Sequence, residues 1–458
     1  MPTATFCTEG FSSLGRAEAS GMGVPSLPIV EIPKAIEYST LPLDEIEEIA
    51  RRTADEVIAA LTQEPAKLAE KYRKTYSLTQ VESRLSRPKA SGDLDAVLAP
   101  DSVAEVTRLF YKKGWTDGLP IIPPDEEAVE SMLEYCDRDR DEVIGKVPPR
   151  WGKATAEKIA INAVMAGCLP EYFPVVLTAV QALSDPKFNL FAVQATTNPV
   201  APLAIVNGPI VNELGINYSF NAFGQGWQPN ATIGRAIRLV MVNIGGGIPG
   251  TTDKAIHGQP AKFSFCVAEN ESESPWEPLH VERGFDRSVS AVSLAAVTGT
   301  LNFTAGGAGT PMAILTMAAD SMAVRGANNV FYAGGPVLVL NPGHAAILAE
   351  AGYSKADVKR FIYDNARIPF SKVPQENRPD LMHRRPKLNF GSAHSLLPLT
   401  DSMDEIVVLV IGASGVHGMC LHSYGDPTPS ITKPVLLKDG TPAKSVMDFK
   451  RPKSPKSK

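Results

Sequence analysis

Cysteine is scarce in this chain. The 458 residues include five, which are Cys7, Cys136, Cys168, Cys266 and Cys420. They are odd in number and far apart, and no CxxC pair occurs, which argues against a disulfide framework, a thioredoxin-like motif and a zinc ribbon. The N-terminus also lacks the basic and apolar segment of a secretory signal. We therefore expect reduced thiols and a cytoplasmic location.

An excess of charge of one sign is also missing. The chain has 45 Lys and Arg against 50 Asp and Glu, a net charge of −5, which does not suit a nucleic-acid binder. Residues 288–319 carry no charge, but Gly299, Asn302 and Pro311 interrupt them. We therefore predict a buried helix, a glycine loop and a second buried helix there, and no membrane span.

The first sixty residues predict a small α/β unit. Thr3–Cys7 and Leu27–Ile32 are typical of strands, and a helix is expected from Glu9 to about Ser20. Asp44 is placed to cap an amphipathic helix that follows. Two strands are too few for a sheet that is stable alone, so another part of this chain or another chain should complete the unit.

This segment resembles the UGSC family through the run FCTEGFSSLGRAEASGMGVPSLPIVEIP and the helix LDEIEEIARRTADEVIAALT. The resemblance is to the C-terminal half of that small α/β family, and Cys7 matches a cysteine of its later strand. The family's Sec/Cys-Gly-Ser-Cys redox turn lies upstream of this half, and no such turn occurs in this sequence. The resemblance thus implies a partial lobe with little thiol-redox activity. Either a separate chain carries the first half of the unit, or the gene model is truncated.

Composition divides the chain into four segments. We predict a partial UGSC-like lobe over 1–64, a linker over 65–100, a large α/β domain over 101–435 and a basic disordered tail over 436–458. Within the large domain, GWTDGLP, ATAEKIAINAVMAGCLPEYFPVV and SPWEPLHVERG resemble longer proteins that occur beside or fused to UGSC domains.

The middle of the large domain is poor in charge and rich in Asn, Thr, Gln and Gly. Residues 188–250 include only three charged side chains, Glu213, Arg235 and Arg238. This composition predicts a ligand cleft with a neutral polar lining, and a turn-rich oligomer interface is the alternative. Arg235 and Arg238 lie on one side of a predicted helix, where they either bind an anionic group or form a solvated basic face.

A short internal repeat suggests where this cleft is built. APLAIVNGP around Asn207 is similar to GPVLVLNPG around Asn341, and each predicts a buried strand, a turn and a helix. Carboxyl ends of strands are where α/β folds bind ligands. The substrate-binding candidates are therefore Asn207, Asn230, Arg235, Arg238, Asn341 and His344.

Two groups of residues are candidates for chemistry. His280 and Glu282 follow a run of glutamates that would raise the pKa of a thiol at Cys266, so we predict acid–base catalysis by His280, Glu282 and His417. The donors His417, Cys420 and His422 suggest a transition metal such as zinc, with a structural turn as the alternative. GGGIPG at residues 245–250 lacks a strand–loop–helix context, so no nucleotide cofactor is expected.

The sequence therefore predicts an α/β enzyme that acts on a small polar or anionic substrate by acid–base chemistry, with a metal where the soft donors meet. A non-catalytic assembly subunit that pairs with a UGSC-bearing chain is the alternative, and a thiol-dependent redox protein is the third. Either a homo-oligomer or a hetero-oligomer is expected.

Overall fold

The computed structural model describes residues 3–12, 15–16, 19, 24–32, 43–74, 99, 102–306, 309–425 and 428–451. Strands β1 (Thr5–Thr8) and β2 (Ile29–Ile32) pair in parallel, with Thr5 opposite Ile29. Helices α1 (Leu43–Thr62) and α2 (Pro65–Lys74) follow. The helix expected from Glu9 to about Ser20 begins with a 3-10 turn over Glu9–Phe11, and the described residues 12, 15–16 and 19 that follow are helical.

The larger part of the chain alternates helices and strands, which confirms the α/β class. Its helices are α3 (Val103–Lys113), α4 (Glu126–Leu133), α5 (Ala156–Ala166), α6 (Phe173–Leu183), α7 (Leu190–Gln194), α8 (Ile210–Leu214), α9 (Gln228–Asn243), α10 (Leu279–Glu282), α11 (Pro311–Met322), α12 (Asn328–Tyr332), α13 (Pro342–Glu350), α14 (Lys355–Asn365) and α15 (Arg378–Arg384). Its strands are β3 (Val143–Val147), β4 (Gly152–Thr155), β5 (Ala201–Asn207), β6 (Cys266–Ala268), β7 (Ala291–Thr304), β8 (Val337–Leu340), β9 (Arg367–Pro369), β10 (Leu396–Pro398), β11 (Val407–Val410), β12 (His417–Ser423) and β13 (Ile431–Pro434).

A seven-stranded mixed sheet organises this region, with the order β11-β8-β12-β7-β5-β6 and β13 beside the start of β7. Strands β5 and β6 are parallel, and β5 is antiparallel to β7. Strands β8 and β11 are likewise parallel, and β8 is antiparallel to β12. The set β5-β6-β7 therefore repeats as β8-β11-β12, and the antiparallel pairing of β7 with β12 joins the two halves. The internal repeat seen in the sequence corresponds to this duplication.

The sheet curls so that its two edge strands meet. The backbone N–H of Asn270, just after β6, donates to the carbonyl oxygen of Val410 in β11 at 2.8 Å. Val267 of β6 and Leu409 of β11 share one hydrophobic core on the inner face of the sheet. On the outer face, α5, α6 and α9 pack on the first half and α11, α13 and α14 on the second. The carboxyl ends of β6 and β11, with their loops, thus meet at one seam.

Two predicted segments differ in the structure. Residues 288–319 contain the strand β7 and the start of α11, so the first of the two predicted helices is wrong; pairing with β5 on one side and β12 on the other stabilises the strand. Residues 436–451 are ordered, because Val446 and Phe449 are buried in the core and Glu213 accepts the backbone N–H of Val446. Only 452–458 of the predicted tail lie outside the described residues.

No helix in the described part of the chain is long and apolar enough to cross a membrane.

Candidate functional site

A buried group of acidic and polar side chains lies where β5 and β6 end. Glu269 follows β6 directly and is 1% exposed, and Asn207 closes β5 with no exposed surface. The Asn207 side-chain amide donates to Glu269 Oε2 at 2.8 Å and to Glu271 Oε1 at 3.0 Å. The backbone N–H groups of Leu279 and Gly208 donate to Glu269 Oε2 and Glu271 Oε1. Parallel strand ends thus hold two carboxylates side by side.

Two lysines from α14 face these carboxylates. Lys355 Nζ lies 2.9 Å from Glu282 Oε2 and 3.9 Å from Glu269 Oε1, and it donates to the carbonyl oxygen of Glu277 at 3.1 Å. Lys359 contacts the other oxygen of Glu282. The two lysines are one helical turn apart, so they lie on one face of the helix. We call the seven residues Asn207, Glu269, Glu271, His280, Glu282, Lys355 and Lys359 the acid–base cluster.

The cluster contains an uncharged histidine. His280 is fully buried, and its Nε2 donates to the carbonyl oxygen of Arg287 at 3.4 Å. With Nε2 as the donor, a neutral ring keeps a lone pair on Nδ1, which lies 3.9 Å from Glu271 Oε1 and makes no hydrogen bond. Burial lowers the pKa of His280, because the charged imidazolium loses hydration, although the nearby Glu271 acts against this. His280 is therefore a base with a free nitrogen.

The carboxylates differ in their electrostatics. Burial raises the pKa of Glu269, and Lys355 offsets this only in part. Burial also acts to raise the pKa of Glu282, but Lys355 and Lys359 outweigh it, so the net pKa is lowered. Glu269 Oε1 and Asn207 Oδ1 are buried without a hydrogen-bond partner. One carboxyl that holds a proton more readily therefore lies beside one that stays ionised, an arrangement that enzymes use for acid–base chemistry.

Three of the predicted site residues thus lie together, namely Asn207, His280 and Glu282. Sequence reasoning missed Glu269, Glu271, Lys355 and Lys359. Glu269 could have been found from its position, because it directly follows a strand and α/β sheets bind ligands at the carboxyl ends of strands. The lysines carried none, because nothing in the chain order shows that α14 packs against the end of β6.

In the structure Arg235 and Asn230 make contacts within the fold, and neither belongs to the acid–base cluster. Arg235 forms a bidentate ion pair with Asp117 at 2.8 and 2.9 Å, and it donates to the carbonyl oxygen of Pro120 at 2.7 Å. Its guanidinium therefore fixes the GWTDGLP segment to α9. The side chain of Asn230 bonds the backbone N–H and carbonyl of Asn217 and the carbonyl of Cys266, which ties α9 to β6.

Arg238 has different surroundings. It is 8% exposed, and the described residues give it neither a hydrogen bond nor an ion pair. Burial lowers its pKa to about 10, with Asp253 and Asp117 acting to raise it, so the group stays charged at neutral pH. Because Asp117 is bound to Arg235 and Asp253 to Lys262, both nearby carboxylates are already paired.

The remaining predicted residues lie in the second half of the sheet. Asn341 caps α13, accepting the backbone N–H of His344, and its amide donates to the carbonyl oxygens of Gly415 and His417. The buried ring of His344 stacks on Phe303 with centroids 6.2 Å apart, and its pKa is lowered by burial and by His417. Asn341 therefore orders the loop before β12, and His417 lies on that loop's edge, apart from His280.

The metal site predicted from His417, Cys420 and His422 does not form. Cys420 and His422 point toward α11, where the Cys420 thiol lies 3.8 Å from the carbonyl oxygen of Ala318 and His422 Nε2 lies 3.2 Å from that of Met322. His417 is an odd number of residues from Cys420 in β12 and therefore lies on the other face, near Asn302. Across the described ranges, no three His, Cys, Asp or Glu side chains are grouped to hold a metal ion.

The charge-poor segment 188–250 is chiefly core. All of β5 is buried, and so are eleven residues of α9, so the missing charges reflect packing between helix and sheet. Two open grooves, of about 580 and 520 Å³, lie elsewhere and touch no predicted site residue. The first is an apolar groove lined by Phe6, Ile32 and the α1 residues Ile46, Ile49, Ala50, Thr53, Ala54, Val57 and Ile58.

The thiols are poorly suited to nucleophilic chemistry. Burial raises the pKa of Cys136 to about 11 and the pKa of Cys168, Cys266 and Cys420 to about 12. Cys7 is half-buried, and its pKa is raised by burial and then by Glu31. Thiolates are the reactive species, so these shifts disfavour the thiol-redox alternative.

Comparison with known proteins identifies the N-terminal lobe. The family model of the UGSC family matches residues 1–63, which confirms the resemblance seen in β1, β2 and α1. The match covers this lobe and not the seven-stranded sheet. No curated protein matches the chain.

Proposed function

We propose that the chain is an enzyme whose acid–base cluster transfers protons to and from a small polar substrate. The observation that carries the proposal is the pair Glu269 and His280, two buried titratable groups whose reactive atoms Oε1 and Nδ1 have no hydrogen-bond partner. Buried polar atoms are almost always satisfied, so exceptions that titrate mark functional sites.

The roles follow from the protonation states. His280 Nδ1 accepts a proton from the substrate, and Glu269, whose pKa is raised, donates one. Lys355 neutralises the carboxylates, and Asn207 Oδ1 is an unused acceptor for a substrate N–H or O–H. Glu271 and Glu282 form the accessible edge, with side chains 21% and 20% exposed.

The balance of charge refines the substrate class. Three carboxylates meet two ammonium groups in the cluster, and Arg235, a predicted anion anchor, is bound to Asp117. With Glu269 protonated for its role as the donor, Glu271 and Glu282 balance the two ammonium groups. A neutral polar substrate therefore suits this site better than an anion, since an anion would add an uncompensated negative charge in a buried place.

The test compares Glu269→Gln and His280→Gln with Glu277→Gln, which changes an exposed glutamate of the same loop. Each protein is incubated with a small-molecule cell extract, and untargeted mass spectrometry records which compounds change. We expect wild type and Glu277→Gln to convert the same compounds, and the two cluster variants to lose at least about 100-fold of that rate, the scale of one acid–base group. Turnover that survives in both cluster variants, or a wild type that converts nothing, contradicts the proposal.

The apolar groove on the N-terminal lobe supports a second candidate, the assembly subunit. Phe6 and Ile58 are 54% and 58% exposed at this groove, beside a parallel sheet in which the described residues form two strands. Parallel sheets are normally covered on both faces, so a chain that carries the first half of a UGSC-like unit would bury this surface.

The control for this candidate lies on the same helix. Ile58→Glu should abolish co-elution of a U/C-G-S-C-bearing chain in size-exclusion chromatography with light scattering, whereas Leu61→Glu should not, because Leu61 is exposed outside the groove. Equal behaviour of the two variants would exclude the groove as the contact.

A further inference from the structure

Arg238 poses a problem of charge compensation that the acid–base cluster does not explain. Arg238 is only 8% exposed, and no hydrogen bond or ion pair in the described part of the chain reaches its guanidinium. Arginine stays protonated in proteins, so it cannot relieve this cost by losing its charge. The guanidinium nitrogens are not among the fully buried unpartnered atoms of the described residues, so the remaining exposure of Arg238 leaves them within reach of a dissolved anion. A largely buried charge with no protein partner is poorly compensated, and a bound anion would compensate it.

The neighbouring charges do not solve the problem. Asp253 Oδ2 lies 2.6 Å from Lys262 Nζ, and both side chains are largely buried, at 7% and 16% exposure. Asp117 is bound to both nitrogens that Arg235 offers it. Three cations therefore share two carboxylates, and one positive charge is left over at Arg238.

The surroundings of Arg238 also separate it from the acid–base cluster. Asn230, near the start of α9, bonds Cys266, whereas Arg238 lies two turns further along that helix. Asp253, the carboxylate that acts most strongly on Arg238, binds Lys262, which precedes β6, while Glu269 follows β6. The two places thus lie toward opposite ends of β6. The glycine-rich turn 245–250 lies beyond the end of α9, on the Arg238 side.

We propose that Arg238 is an anion-binding site for a carboxylate group of a small molecule, formed with Lys262 and Asp253. A single negative charge balances the site, which favours a monocarboxylate over a phosphate dianion, and a guanidinium binds a carboxylate through two parallel hydrogen bonds. The site is independent of proton transfer by His280.

The first experiment measures binding. Acetate, glycolate and inorganic phosphate are titrated into the full-length protein at constant ionic strength, with NaCl as the reference, and the melting temperature is followed. We expect the carboxylates to raise the melting temperature beyond the NaCl reference and phosphate to do so less. An equal response to all salts would overturn the proposal.

The second experiment uses variants. Arg238→Met should reduce carboxylate affinity by at least about tenfold, the scale of a charge-assisted contact, and should raise the ligand-free melting temperature because an unpaired charge is removed. Arg108→Gln, an exposed arginine on α3, is the matched control and should change neither. Lys262→Gln tests the site without altering Arg238 and should also weaken binding. Unchanged affinity in both site variants would refute the site, whatever the turnover of the cluster variants.

Discussion

Removing one partner of the ion pair between Asp117 and Arg235 should be among the more destabilising single changes in the described structure. The two side chains are only 4% and 14% exposed, and the pair joins residues 118 positions apart in sequence. Removing one partner of such a buried pair costs about 3–5 kcal/mol, because the other charge is left unpaired. We therefore expect Asp117→Ala and Arg235→Met each to lower the free energy of unfolding by about that amount.

The double variant separates the pair from its surroundings. Asp117→Ala combined with Arg235→Met should cost less than the sum of the single changes by about 1–3 kcal/mol, the coupling typical of contacting residues. Urea unfolding followed by tryptophan fluorescence suits this test, since Trp115 lies two residues from Asp117.

An exposed pair serves as the control. Arg384 and Asp380 are one turn apart on α15 with side chains 41% and 49% exposed, and Asp380→Ala should cost only about 0.3–0.5 kcal/mol. Single losses near 0.5 kcal/mol at Asp117 and Arg235, or losses that simply add, would refute the reasoning. If instead the losses are large and coupled as expected, activity lost in Arg235 variants is explained by the damaged fold and not by a lost substrate contact.

Three further predictions concern single groups. Folding raises the pKa of Glu269, so its ionisation lowers the free energy of unfolding; this loss is small below the ordinary glutamate pKa and grows as pH rises through the pKa of the folded state. Glu269→Gln should therefore stabilise the protein more at pH 8 than at pH 4, as measured by denaturation curves at the two pH values. Gly208→Ala should lower the melting temperature by more than Gly352→Ala. Both glycines have φ of +86°, but only at Gly208 would a Cβ lie 2.7 Å from the backbone of Ser290. Calorimetry measures the two melting temperatures, and equal decreases would contradict this prediction. A thiol reagent should label Cys7 in the native protein well before the four buried cysteines, and rapid labelling of all five would contradict the burial described here.

The fold was predictable where local signals agree. Asn207 and Asn341 each end a run of buried β-branched and aliphatic residues before a Pro/Gly turn, and both strand–turn–helix units form as expected. Strand β7 was not predictable in this way, because its Ala and Leu residues also suit a buried helix. Its conformation is set by neighbours on both sides, which are distant in sequence.

The candidate site was likewise predictable only where its residues lie close together in sequence. His280 and Glu282 could be found from sequence because they follow closely on the acidic run after β6. The partners that determine their chemistry could not, since Lys355 lies 78 residues from its backbone contact at Glu277. For the same reason Arg235 was assigned to a substrate, because its carboxylate partner is remote in the chain.

The lysines of α14 make the two repeats of the sheet depend on each other. They belong to the second repeat, yet they compensate carboxylates of the first. If either repeat were deleted or expressed alone, the carboxylates of the first repeat and the lysines of the second would lose each other and remain as unpaired charges. Each repeat therefore depends on the other to fold with its charges compensated. The two repeats share the same strand arrangement, but the side chains that form these ion pairs differ between them.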